Sequence, residues 1–463
     1  MTNFLFAVPA FLLAIFILVG IHEFGHFWVA RRCGVKVTRF SIGMGKVVWS
    51  RTAKDGVEYT LSALPIGGYV SMVGHGTEVA EEDADGAFDN KSVFARFAIV
   101  AAGPAINIAL AVVLYWCTFV MGVPGIHSVV GDLPQDGPFA TAGVESGERI
   151  IGVNGNLVNT WEEAHLGLIS ALYEDAQLEL SLVSGDTVGT PSAELVASAR
   201  NVVVPLKNYS PEPSQLMDAL GLTMWRPSLP AVVGQVVPDS AAQLAGFEAQ
   251  DRILTLDSVP VSNWTDLVEL IQERANKSSL VDIERQGQRL TLTLIPKAKT
   301  TPDGRVLGFA GVGPHVSDDF RARLERHRAE TSYSVFGAIP KAIEKTWSTT
   351  TLTFAFFGKM LSGEVSVKNI GGPIQIADIA GQAAQAGLVF YLGILAMVSL
   401  NLGILNLLPV PVLDGGHLLY YVVEMVKGSP VSERVQIVGQ KIGLALLLCL
   451  MTVAFYNDIT RLL

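Results

Sequence analysis

Four stretches of the chain hold no charge over lengths that matter for a bilayer. Residues 4–21 run apolar into His22, residues 97–120 are longer, residues 386–413 stay uncharged until Asp414, and residues 442–456 are shorter. Crossing about 30 Å of hydrocarbon takes roughly 20 apolar residues of helix. Lys441 can extend the last run by snorkelling its ammonium to the interface. The pattern predicts a polytopic α-helical membrane protein with four transmembrane helices. A cleaved signal peptide is the competing account of the first run, but Met1, Thr2 and Asn3 give no basic leader and no small-residue cleavage site follows.

Between the first two runs, Arg31, Arg32, Lys36, Arg39, Lys46, Arg51 and Lys54 outnumber Asp55 and Glu58, which marks a cytoplasmic loop. After the second run Asp132, Asp136, Glu145 and Glu148 stand against Arg149, so the middle region is translocated. Lys427, Arg434 and Lys441 return the loop between the third and fourth runs to the cytoplasm, leaving both termini on the outer face.

The middle region repeats itself at a shift of 103 residues. Val129-Val130-Gly131 matches Val232-Val233-Gly234, Ala142-Gly143 matches Ala245-Gly246, Arg149-Ile150 matches Arg252-Ile253, and Val158 and Trp161 match Val261 and Trp264. Two tandem copies of one α+β module are expected, each with short strands, an AG turn, and a tryptophan opening a helix. Further on, residues 332–363 mix Phe336, Ile339, Ile343, Trp347, Phe354 and Phe357 with Lys341, Glu344 and Lys345. Clustered charges are costly at the bilayer centre, so this segment reads as an amphipathic interfacial helix in contact with lipid.

Composition agrees with that division. The chain is 50% apolar and 16% charged, against about 25% charged in soluble domains, because the charge-free runs dilute an ordinary soluble part. A net charge of -10 without a basic stripe excludes a nucleic-acid partner. Cys33, Cys117 and Cys449 are isolated, which excludes a disulfide framework and a cysteine-ligated zinc site.

The chemistry sits at the end of the first run, which reads His22-Glu23-Phe24-Gly25-His26. On a helix, positions i and i+4 share a face, so both imidazoles can reach one metal while Glu23 touches a water on it. Interfacial histidines satisfied by headgroups are the alternative, but three ionisable groups at the end of an apolar span are costly and functional by default. A catalytic zinc site takes a third protein ligand. Asp414 is the first candidate, in the run Asn406-Leu407-Leu408-Pro409-Val410-Pro411-Val412-Leu413-Asp414-Gly415, and His417 the second. The prolines break the helix there, where irregular backbone must line protein or a wet cavity. An aspartate capping the span would leave the prolines and Asn406 unexplained.

These motifs resemble the site-2 protease family of intramembrane zinc metalloproteases, in the branch of Gram-negative envelopes that carries two PDZ domains. The resemblance covers nearly the whole chain: HEFGH, the Gly103-Pro104-Ala105-Ile106-Asn107 segment, the two repeats, Gly371-Gly372-Pro373-Ile374 and the NxxPxPxLDG run. It implies that His22, His26 and Asp414 bind Zn2+, that Glu23 is the general base, that Asn406 helps hold the substrate backbone, and that Gly103 and Asn107 belong to a close-packing motif. It implies a bacterial inner-membrane protease with periplasmic PDZ domains and termini and an active site near the cytoplasmic side. Its substrates would be single-span membrane proteins already trimmed outside, namely anti-sigma-factor remnants and leftover signal peptides, with peptide tails as possible partners of the PDZ grooves.

Residues 40–69, with Gly43 and Gly45, alternate like strands and directly follow the HEFGH helix. They form either an ordinary cytoplasmic hairpin or, as in the family, a re-entrant β-hairpin whose free edge at Tyr59, Thr60, Leu61 and Ser62 receives unwound substrate. The expected organisation is a first membrane half at 1–126, PDZ-like domains at 127–226 and 227–318, an interfacial region at 319–385, and a second membrane half at 386–463. A PDZ membrane scaffold with a structural metal is the competing function, and a zinc transporter a third.

Overall fold

In a computed structural model the described residues are 2–74, 79–173, 177–187, 189–205, 216–225, 227–300, 305–363, 365–366 and 371–462. They form two compact units, one built from the chain up to Pro124 together with Glu330–Leu462, the other from Gly125–Ala329.

The first unit contains helices α1 (Thr2–Arg32) and α2 (Val93–Met121), joined by strands β1 (Val37–Thr52) and β2 (Glu58–Met72). It continues with α3 (Ala338–Leu361), α4 (Pro373–Ala386), α5 (Leu388–Leu407), α6 (Asp414–Lys427) and α7 (Glu433–Leu462). Four segments among the described residues are long and apolar enough to cross a membrane: Phe6–Arg32, Val93–Met121, Leu388–Leu407 and Glu433–Thr460. Their ends differ from the charge-free runs for local reasons. Nothing in HEFGH breaks a helix, so α1 continues through those residues to Arg31 and Arg32, whose guanidinium groups lie over the rings of Phe27 and Trp28. Ser92 starts α2 four residues before the apolar run by accepting the Ala95 N–H. Pro409 and Pro411 end the third span at Leu407 instead of 413.

Small residues let these helices approach closely. Ala10, Ala14 and Leu18 of α1 form one buried cluster with Ala380 and Leu395, and the Tyr391 hydroxyl donates to the Ala10 carbonyl at 2.7 Å. At the far end of α7, buried Asp458 accepts from the N–H groups of Gly372 and Ile374 at 2.9 Å each, satisfying orphan donors that open α4. The expected amphipathic segment is helical as α3, with Ile339, Ile343, Trp347 and Phe354 exposed beside a Lys341–Glu344 ion pair.

The second unit holds two modules of like topology. In the first, the strand order is Asn156–Leu157, Glu148–Val153, Leu178–Ser184, Arg200–Val204, with helix Trp161–Tyr173. In the second it is Val259–Pro260, Arg252–Leu256, Ser279–Arg285, Gln288–Leu294, with helix Trp264–Gln272. The 103-residue shift extends to the hydrogen bonds. Val130 N–H donates to Glu148 O as Val233 does to Asp251 O, and Ile150 N–H donates to Ser128 O as Ile253 does to Ala231 O. Residue 226, the expected boundary, lies outside the described residues.

Among the described residues, the two four-stranded sheets differ in the connection between their last two strands. Only Gln286 and Gly287 separate the last two strands of the second, whereas residues 185–199 separate those of the first. That longer segment covers Arg149, which is fully buried and donates to the carbonyls of Thr187 (2.6 Å) and Gly189 (2.8 Å) and to Asn159 Oδ1 (2.8 Å). Burial pushes the guanidinium down to about 10. Its counterpart Arg252 is exposed.

Candidate metal centre

The structure brings together three of the residues singled out by sequence. His22 Nε2 and His26 Nε2, one turn apart on α1, are 3.2 Å from each other. Asp414 opens α6 and sets its Oδ2 3.1 Å from His22 Nε2 and 3.5 Å from His26 Nε2. These three are the group of metal-capable donors among the described residues, all within 4.8 Å of one another. The backbone delivering Asp414 is irregular. Val412 sits at φ 100°, a strained value for a β-branched residue, and added carbons at Gly415 or Gly416 would collide with carbonyls of residues 407–410.

Two imidazoles and one carboxylate are a donor set that catalytic zinc takes, with a further position left open. The set therefore fits zinc in chemistry and in convergence. Glu23 is buried beside His22, and a Cβ at Gly68 of β2 would stand 2.7 Å from its Cγ, so the strand backbone walls in the glutamate. His417, one turn beyond Asp414, lines instead a separate polar cavity of about 870 Å³ with Asp89, Arg96, Glu424 and Glu433.

Sequence reasoning missed how α2 serves the centre. The His26 Nδ1–H donates to the Ile99 carbonyl at 2.9 Å. Gly103 leaves room for both rings, since a Cβ there would be 2.6 Å from His26 Cε1 and 2.9 Å from His22 Cε1. The Asn107 amide stands 3.2 Å from His22 Nδ1. The spacing 99, 103, 107 places all three on one face of α2, and the glycine and asparagine were the visible part of that signal.

The hairpin is more folded upon itself than its alternation suggested. Gly43 and Gly45, both at φ 86°, double β1 back so that Tyr59, Thr60 and Leu61 pair with Phe40, Ser41 and Ile42 on one side and with Arg51, Ser50 and Trp49 on the other. The expected free edge at Tyr59–Ser62 is therefore corrected: the main chain of Tyr59, Thr60 and Leu61 is flanked by partners on both sides, and Ser62 pairs with Val47. Leu61 and Ser62 instead line a groove of about 250 Å³ with Leu12, Ile15, Phe16, Ile42 and Gly43. Asn406 is half-buried at the end of α5 and makes no hydrogen bond to the His22–His26–Asp414 group among the described residues.

Four spans, an HExxH helix and a carboxylate brought from a second broken helix define a polytopic membrane metallopeptidase. The family model of Peptidase family M50 matches residues 10–450. The chain is 41% identical over 465 residues to the Regulator of sigma-E protease RseP of Escherichia coli and to a Putative zinc metalloprotease of Vibrio cholerae, each covering all of both chains. It is 37% identical over 461 residues to the Regulator of sigma E protease of Haemophilus influenzae, covering 99% of this chain and all of that one. The chain belongs to peptidase family M50, the site-2 protease family, and is a zinc metalloprotease of that type.

Proposed function

We propose that the protein cuts single-span membrane proteins within the bilayer, with His22, His26 and Asp414 holding zinc and Glu23 acting as general base. The convergence of the three donors beside a buried glutamate, in the unit that carries the spans, supports this reading above all else. Zinc held there supplies Lewis-acid polarisation of the scissile carbonyl. Glu23 takes the proton of the attacking water and returns it to the leaving amine. The burial of both histidines and Glu23 keeps bulk water away from these transfers.

A substrate helix shields its own peptide bonds, so it must unwind and find new hydrogen-bond partners before cleavage. In this reading the hairpin is re-entrant, the groove at Leu61 and Ser62 takes the unwound segment, and Asn406 holds its backbone. The two modules are PDZ-like domains at 127–226 and 227–318 that screen what enters or take peptide tails, and α3 rests on lipid headgroups. The basic loops favour an inner-membrane protein with termini and modules in the periplasm and the metal group near the cytoplasmic side. The names of the relatives favour a role in sigma-E regulation through anti-sigma-factor remnants, with leftover signal peptides as further substrates.

The test is cleavage of a tagged single-span substrate by the purified full chain with and without a chelator. Cleavage should stop with chelator and return with zinc. Glu23→Gln should keep one zinc per chain and cleave at least about 100-fold more slowly, because the amide keeps the shape but cannot take a proton. Chelator-resistant cleavage, or undiminished cleavage by Glu23→Gln, would overturn the assignment. A stable metal with no cleavage of any substrate would instead favour the scaffold.

A further inference from the structure

The two histidines are not held alike. A histidine that ligates a metal through Nε2 must carry its proton on Nδ1 and place that proton on an acceptor. His26 does so with the Ile99 carbonyl. For His22, the amide nitrogen Nδ2 of Asn107 is the hydrogen-bond partner found at Nδ1, 3.2 Å away. Asn107 is fully buried, its amide oxygen has no partner among the described residues, and its main chain is pinned from α5 by the Ser399 hydroxyl, which donates to the Asn107 carbonyl at 2.8 Å. The two ends of an amide are nearly equal in size, and a half turn about the last side-chain bond exchanges them. Either orientation leaves one end unpaired, so the tautomer that His22 needs decides between them.

We propose that Asn107 is a positioning residue: its Oδ1 accepts the Nδ1–H of His22 and so holds the Nε2 lone pair of that ring toward the metal. The inference rests on the metal-site reading above. It makes α2 the common support of both imidazoles, through a main-chain carbonyl at 99 and a side-chain carbonyl at 107. An amine end facing Nδ1 would do the reverse, stabilising the tautomer whose Nε2 carries a proton and cannot ligate.

The two orientations separate under two substitutions. Asn107→Asp supplies only acceptors, and Asn107→Leu, of similar volume, supplies nothing. Zinc affinity is measured on the full chain in detergent by competition with a chromophoric chelator, and thermal unfolding is followed on the metal-stripped protein. Asn107→Asp should hold zinc within about threefold of the parent, whereas Asn107→Leu should bind it about 10–100-fold more weakly, with the metal-free unfolding midpoints alike. Equal loss in both variants, or parent-like affinity in Asn107→Leu, would overturn the proposal. Should Asn107→Leu unfold, Asn107→Ala, which likewise supplies no acceptor, takes its place: zinc affinity weakened about 10–100-fold against Asn107→Asp supports the proposal, and affinity equal to that of Asn107→Asp overturns it. If the metal-site reading itself is wrong, the parent will bind no stoichiometric zinc or His22→Ala will retain it, and the proposal falls with it.

Discussion

Gly103→Ala adds one methyl group to a residue with no chemistry of its own, yet the structure predicts a large loss. The added carbon would meet the His26 ring at its Nε2 edge, with Cε1 at 2.6 Å and His22 Cε1 at 2.9 Å. Carbon atoms rest at about 3.5–4.0 Å from one another, so the rings must withdraw by about 1 Å. His26 cannot do this freely, because its Nδ1–H is bound to the Ile99 carbonyl. Metal sites tolerate about 0.2 Å in ligand distance, and a misplacement of about 1 Å costs on the order of 100-fold in rate, or about 2.7 kcal/mol of barrier. Cleavage of a single-span substrate and zinc content are to be measured on Gly103→Ala beside Gly393→Ala. Gly393 lies in α5 with open space where a Cβ would stand, so that control should behave as the parent. Gly103→Ala with parent-like zinc and cleavage within threefold would refute the claim that this glycine makes room for the two imidazoles.

Three further outcomes are expected. Thr60→Pro should unfold the hairpin, because residue 60 is paired on both sides. Proline at Val48, an exposed residue of β1 for which no pairing is found, should leave the hairpin folded, and amide hydrogen exchange over residues 37–72 tells the two apart. Asp458→Ala should lower stability by about 1–2 kcal/mol in detergent unfolding, since it strips the start of α4 of its acceptor. Burial holds His127, His165 and His327 below the ordinary value of 6.5, with Arg149 adding to the effect at His127 and His327. Above pH 6.5 they are neutral folded or unfolded. As pH falls below 6.5 the unfolded chain takes up protons that the folded one does not, so stability falls. Exchange at residues 127–129 and 150, corrected for intrinsic rates, should be faster at pH 5 than at pH 7.5, and pH-independent protection there would contradict this.

The three converging donors were legible because their signals are local or compositional. HEFGH is a five-residue pattern on one helix face, and Asp414 is the first charge after a long apolar run that prolines interrupt. The duplication was legible because its offset is constant. What could not be read belongs to pairing in space. The Ile99 carbonyl that orients His26 has no residue signature, since every residue offers the same carbonyl. Alternation announced strands at residues 40–69, but alternation does not name partners, and the doubling at Gly43 and Gly45 closed the edge that a simple hairpin would leave open. Charge-free runs located the spans without their ends, which Ser92 and Pro409 determine.

The enclosed arginine of the first module gives the two copies different weak points. Taking a guanidinium out of water costs several kcal/mol, and three neutral oxygens return only part of that. When the segment carrying Thr187 and Gly189 lifts, Arg149 regains its hydration, so opening there is partly driven by the charge it covers. Opening the turn at Gln286 and Gly287 releases nothing comparable, because Arg252 is already in water. The connection over Arg149 is therefore expected to open more readily than the turn at Gln286 and Gly287. Of these two connections, a protease will nick the described residues 189–199 before Gln286 and Gly287.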